Sequence, residues 1–133
     1  MTSNLSDAFT SAYTLAYTAR VAQGNVVGEG SAPFRAVFSA LVAGAQRWAD
    51  TLSDRHTDRY ELLTVSPITP SPSLEISHPL GLAHQVERAL HNFQILLAAL
   101  RIPYLDDPLT LAVLTEVQRE AAHLSRTLSA QMG

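Results

Sequence analysis

The sequence predicts an all-α, four-helix bundle-like single domain with a long Pro/Ser-rich connection between its second and third helices. Three observations carry that prediction. Alanine and leucine, 19 of each in 133 residues, stand at the favourable end of the helix-propensity scale. Apolar residues recur at three- and four-residue steps in four separate segments, the period of an amphipathic helix. Each segment is also punctuated by residues that start or stop helices: Gly24, Ser31-Ala32-Pro33, Pro79 and Asp107-Pro108. With 47% hydrophobic and 16% charged residues, the chain holds enough apolar material for a core of its own.

The first helix is predicted over about residues 4–23, where Leu5, Phe9, Tyr13, Ala16, Tyr17 and Arg20 share one face. Ser3 or Ser6 serves as its cap, and Gly24-Asn25 supplies left-handed residues to end it. Thr10, Thr14 and Thr18 line up at i, i+4, i+8 as a solvated or partly packed stripe. Gly24 to Ser31 reads as a turn. It precedes a helix start, where free N–H groups can hold an anion, but no strand precedes it and Glu29 repels phosphate.

Ser31 as N-cap and Pro33 in the first turn open the second helix, over about 32–52. Phe34, Val37, Phe38, Leu41, Ala45, Trp48 and Leu52 form its apolar face, and Ala36, Ala40 and Gly44 on the far side form a small-residue groove that lets another backbone approach. Ser, Thr and Asp fill residues 50–58, which predicts a break near Ser53, with an extension to 63 if the helix continues; Tyr60 to Val65 reads as either helix or strand. Residues 64–79 carry four prolines and four serines and cannot be regular helix. At ~3.3 Å per residue they are long enough to cross the length of a bundle, with Leu74-Glu75-Ile76 pinning the crossover.

The third helix is predicted over about 80–102, with Leu82, Val86, Leu90, Phe93, Leu97 and Leu100 on one face, and the fourth over about 108–131, with Leu111, Leu114, Val117, Ala121, Leu124 and Leu128. Asp107 and Pro108 are the N-cap and first turn of the fourth. The connection is short, so these two helices form an antiparallel hairpin.

Composition excludes several function classes. The chain has no cysteine, which removes disulfide scaffolds, thiolate zinc, iron–sulfur clusters and cysteine nucleophiles. It has no lysine either, all nine cations being arginine, which removes Schiff-base chemistry and the lysine-bearing phosphate loop. A net charge of −3, with arginines spaced singly, argues against nucleic-acid binding. The polar stretch Met1 to Asp7 lacks a secretory pattern, and the longest apolar run, Ile95 to Leu100, is far short of the ~20 residues that span a bilayer. A cytoplasmic protein is the expectation, and arginine-only usage points to a bacterial or viral one.

Two His/Glu constellations are candidate transition-metal ligands. His84, Glu87 and His91 share a flank of the third helix, and Glu116, Glu120 and His123 share a flank of the fourth. Glu120-Ala-Ala-His123 resembles half of the signature of ferritin-like di-iron bundles, in which carboxylates bridge the irons and imidazoles complete their coordination. The resemblance covers four residues, and a second Glu-x-x-His on another helix is absent. At ~100° per residue the two clusters lie on flanks of opposite sign, so they are not expected to converge within one hairpin.

The preferred reading is a non-enzymatic helical interaction or adaptor protein that acts as a homo-oligomer, most simply a dimer, without a cofactor. Its warrant is an excess of apolar helix face: the third helix is apolar all round from Ile95 to Leu100, and the second carries its small-residue groove opposite its core. The expected interface residues are Ile95, Ala98, Ala36, Ala40 and Gly44. The alternative is a metal-binding bundle protein or enzyme built on the six His and Glu residues. A third reading, a small-ligand sensor, places Tyr13, Tyr17, Phe38 and Trp48 around a pocket. His56, on the apolar side of an extended second helix, reads as a satisfied boundary residue, and His78 as a loop histidine.

Overall fold

The computed structural model describes residues 4–28, 30–58 and 79–133. They form four α-helices, α1 (Leu5–Asn25), α2 (Ser31–Asp58), α3 (Pro79–Leu100) and α4 (Pro108–Met132), and no strand. Ser3, Glu29, the extension of α2 to 63, the connection as far as His78 and the Leu74-Glu75-Ile76 anchor lie outside the described residues.

Local chemistry sets the helix starts. Asn4 caps α1: its side chain accepts the Ser6 and Asp7 N–H groups at 2.8 and 3.3 Å, while the Asp7 carboxylate accepts the Asn4 N–H at 2.9 Å. The cap is therefore Asn4, not Ser6, which is buried in the first turn. At the other end Gly24 stays helical, Val26 exits in an extended conformation, and the left-handed positions fall on Gly28 and Gly30. Ser31 is the first helical residue of α2. The Arg35 guanidinium donates to the Val26 carbonyl at 2.9 Å and ties the turn to α2.

The break predicted near Ser53 does not occur. Leu52 and His56 are buried, and Arg55 bonds to α4, so tertiary contacts hold a polar stretch helical that propensity alone would release. α3 stops two residues before its predicted end. Arg101 and Ile102 turn out through i−3 bonds ahead of Pro103. Asp107 caps α4 as predicted, accepting the Thr110 N–H at 3.1 Å, with Pro108 in the first turn.

One end of the bundle gathers the start of α1, the end of α2, the exit of α3 and the start of α4. The Leu5 N–H donates to the Tyr104 hydroxyl at 3.1 Å, the Ser6 hydroxyl lies 3.4 Å from the His56 ring, and Arg55 reaches Thr110 at 3.0 Å. Each helix is thus antiparallel to its neighbours around the ring α1, α2, α4, α3, with α2 and α3 touching across the diagonal and α1 and α4 apart. α2 ends and α3 begins at opposite ends, which is the geometry a long crossover connection serves. Alanines Ala8, Ala12, Ala19, Ala45 and Ala49 are buried and let α1 and α2 form the most extensive helix pair. Across the diagonal Trp48 stacks on Phe93, ring centroids 5.6 Å apart.

Candidate interaction surface

The six His and Glu residues do not assemble. On α3, exposed His84 and half-buried Glu87 are neighbours with Nδ1 3.9 Å from Oε1, and His91 lies exposed one turn on. On α4, Glu116 pairs with Arg119, and His123 is exposed. Glu120 is engaged elsewhere: its two oxygens accept Arg47 and the Trp48 indole N–H, each at 3.3 Å. Among the described residues no three His, Asp or Glu side chains form a group able to hold a metal ion. What the sequence misses in Glu120 is its task as acceptor for a buried tryptophan. The signal was the tryptophan itself, whose indole N–H needs a partner once buried.

The aromatic set of the sensor reading is split. Phe38 and Trp48 are core residues, whereas Tyr13 and Tyr17 are exposed beside a hollow of about 280 Å³ between α1 and α2. Helical spacing put all four on related faces, but α1 and α2 bury only part of each.

Of the expected interface residues, Ile95 is 55% exposed and Ala98 is exposed, on the side of α3 opposite the fully buried Leu97. Ala36 and Ala40 are exposed as well. Gly44, placed by sequence in the open groove, is instead covered from within the chain. A Cβ added there would lie 3.2 Å from a Leu124 methyl and 3.3 Å from the Trp48 ring, so the small residue serves the seating of α4 on α2.

An apolar surface that sequence reasoning did not single out lies at the α3–α4 turn. Ile102 is 73% exposed, and Leu105 and Leu109 are each 65% exposed. Tyr104, between them, is buried with its hydroxyl on Leu5. The readable signal was a connection, Ile102-Pro103-Tyr104-Leu105-Asp106-Asp107-Pro108-Leu109, with far more apolar side chain than a turn needs. Two separate hollows lie between α2 and α4: one of about 400 Å³ beside Leu109, and a cleft of about 510 Å³ lined in part by Ala40, Ala43 and Leu124. No helix among the described residues is long and apolar enough to cross a membrane.

No protein-family model, curated protein or solved structure matches the chain.

Proposed function

We propose that this protein is a non-enzymatic helical interaction protein that acts as a homo-oligomer. One observation carries the reading: the core is closed by side chains from all four helices, yet eight large apolar residues among those described stay outside it. Three of the eight, Ile102, Leu105 and Leu109, fall close together in sequence, on the α3–α4 connection and the first turn of α4. Single exposed apolar residues are ordinary, whereas a cluster on a structured element is a feature of binding surfaces. Ile95 with Ala98 on α3 adds a second apolar face.

Sedimentation equilibrium tests the reading. A chain of 14.4 kDa is expected to show a weight-average mass that rises with concentration toward a multiple of that value. A monomer mass at every concentration refutes it.

A further inference from the structure

The α2–α4 side of the bundle is polarised in charge and in shape. The two helices run antiparallel there, with Arg55 beside Thr110 at one end, Arg47 beside Glu120 in the middle and Gly44 beneath Leu124 toward the other. At the first end Leu109 projects next to Asp54 and Asp58, which line the same hollow. Neither carboxylate has an ion-pair partner among the described residues. At the far end the apolar-floored cleft of about 510 Å³ is rimmed by Arg119, His123 and Arg126. Arg119 is taken up by Glu116; among the described residues Arg126 has no ion-pair partner. From Leu109 to Arg126 the helix rise of 1.5 Å per residue separates the two ends by about 25 Å.

Resting on the self-association proposed above, we propose that its interface is this α2–α4 face, docked on a second copy of the chain about a two-fold axis. Such an axis, lying in the plane of the face at right angles to the two helices near the level of Arg47 and Glu116, reverses the ends. Leu109 of each copy then sits over the Ala40–Ala43–Leu124 floor of the other, and Asp54 and Asp58 meet Arg126 across the interface. Because a two-fold contact is made twice, each complementary pair occurs twice. The charges also select the register: a parallel arrangement would set carboxylates against carboxylates, whereas the antiparallel one pairs opposite signs. Leu109 is presented rigidly, since it follows Pro108 in a first turn fixed by the Asp107 cap, and little ordering entropy is lost when it docks.

Sedimentation analysis of six proteins tests this face: wild type, Leu109→Glu, Arg126→Glu, Asp54→Arg, the Asp54→Arg/Arg126→Glu double variant and Ile95→Glu. All four substituted positions are exposed, and circular dichroism melts verify that each monomer folds. The expected result is a wild-type dimer, weakened by about tenfold or more in Leu109→Glu and in each single charge reversal, and recovered in the double variant. Ile95→Glu is expected to keep the wild-type dissociation constant. A wild-type monomer into the millimolar range overturns self-association itself. A dimer that tolerates Leu109→Glu and Arg126→Glu but dissociates in Ile95→Glu overturns this face and leaves self-association standing. A double variant as weak as its parents overturns the antiparallel register.

Discussion

Removing the Glu120 carboxylate separates its structural task from metal ligation. In Glu120→Ala the Trp48 indole N–H, on a side chain 1% exposed, loses the acceptor it reaches at 3.3 Å. A buried donor left without a partner costs about 1–3 kcal/mol. The second bond, to Arg47, adds little: that pair is 61% and 34% exposed, and exposed ion pairs contribute about 0–1 kcal/mol. Glu120→Ala is therefore expected to destabilise the fold by about 1–3 kcal/mol, with most of the loss traced to Trp48. Glu120→Gln keeps an acceptor oxygen and should lose less than half as much. Urea denaturation followed by fluorescence is well suited, since Trp48 is the only tryptophan and reports on the site itself. A double-mutant cycle with Trp48→Phe isolates the bond. A Glu120→Ala protein within about 0.5 kcal/mol of wild type, or a coupling energy near zero in the cycle, would refute the assignment.

Other fastenings respond in measurable ways. Asp107→Ala deletes the acceptor of the Thr110 N–H and of the Thr110 hydroxyl and releases Arg55; a loss of about 1–3 kcal/mol in chemical denaturation is expected, and Asp107→Asn should retain most of the cap. Tyr104→Phe removes the oxygen that accepts the Leu5 N–H, so a loss of about 1 kcal/mol should be accompanied by faster hydrogen exchange at the Leu5 amide; unchanged exchange there contradicts the contact. Leu97→Glu and Ile95→Glu, two residues apart, should differ sharply in thermal melts. The first places a charge at a fully buried position and unfolds a domain of ~5–15 kcal/mol stability, and the second shifts stability by only about ±0.5 kcal/mol.

Periodicity made the four helices legible, and the stripes Leu41–Trp48–Leu52 and Leu82–Leu90–Leu97 are the ones buried. In α1 the aromatic-led face was the wrong one, since Tyr13, Tyr17 and Arg20 are exposed while Ala8, Ala12, Leu15 and Ala19 are buried, mostly small residues that carry a weak apolar signal. Capping chemistry was legible where one residue was suited to the position, as at Asp107, and misleading where several competed, as among Ser3, Asn4 and Ser6. The run past Ser53 could not be read locally, since what holds it helical is Arg55 on Thr110 and Asp107, more than 50 positions away. The same holds for Glu120: helical spacing grouped it with Glu116 and His123, but the acceptor needed by Trp48 on another helix decided its place. A sequence shows which faces are apolar; which of them a neighbouring helix covers is a property of the assembled ring. Gly44 was therefore covered and Ile95 was not.

The apolar turn gains its meaning from what surrounds it. A connection carrying Ile102 and Leu105 in solvent, with Leu109 on the first turn of α4 beyond it, could relieve that exposure by folding back on the bundle, yet it is held outward by several polar ties. Tyr104 fixes the middle of the turn to α1. Arg101 donates to Thr115 at 2.8 Å and to Gln118 at 3.0 Å, fixing its start to α4. Asp107 fixes its end through Thr110 and Arg55. The Arg55–Asp107 pair has both side chains mostly shielded, so it is less screened than a surface pair. These ties contribute to folding while keeping three aliphatic side chains in water, a combination that core packing alone does not explain. A partner docking there would meet a preformed apolar knob, the entropy of ordering it having already been spent on folding. If the ties serve binding, Tyr104→Phe, which leaves every exposed apolar side chain in place, should weaken self-association as well as stability. Equal dimer affinity in wild type and Tyr104→Phe, measured well below both melting transitions, would separate the turn's rigidity from its role in contact.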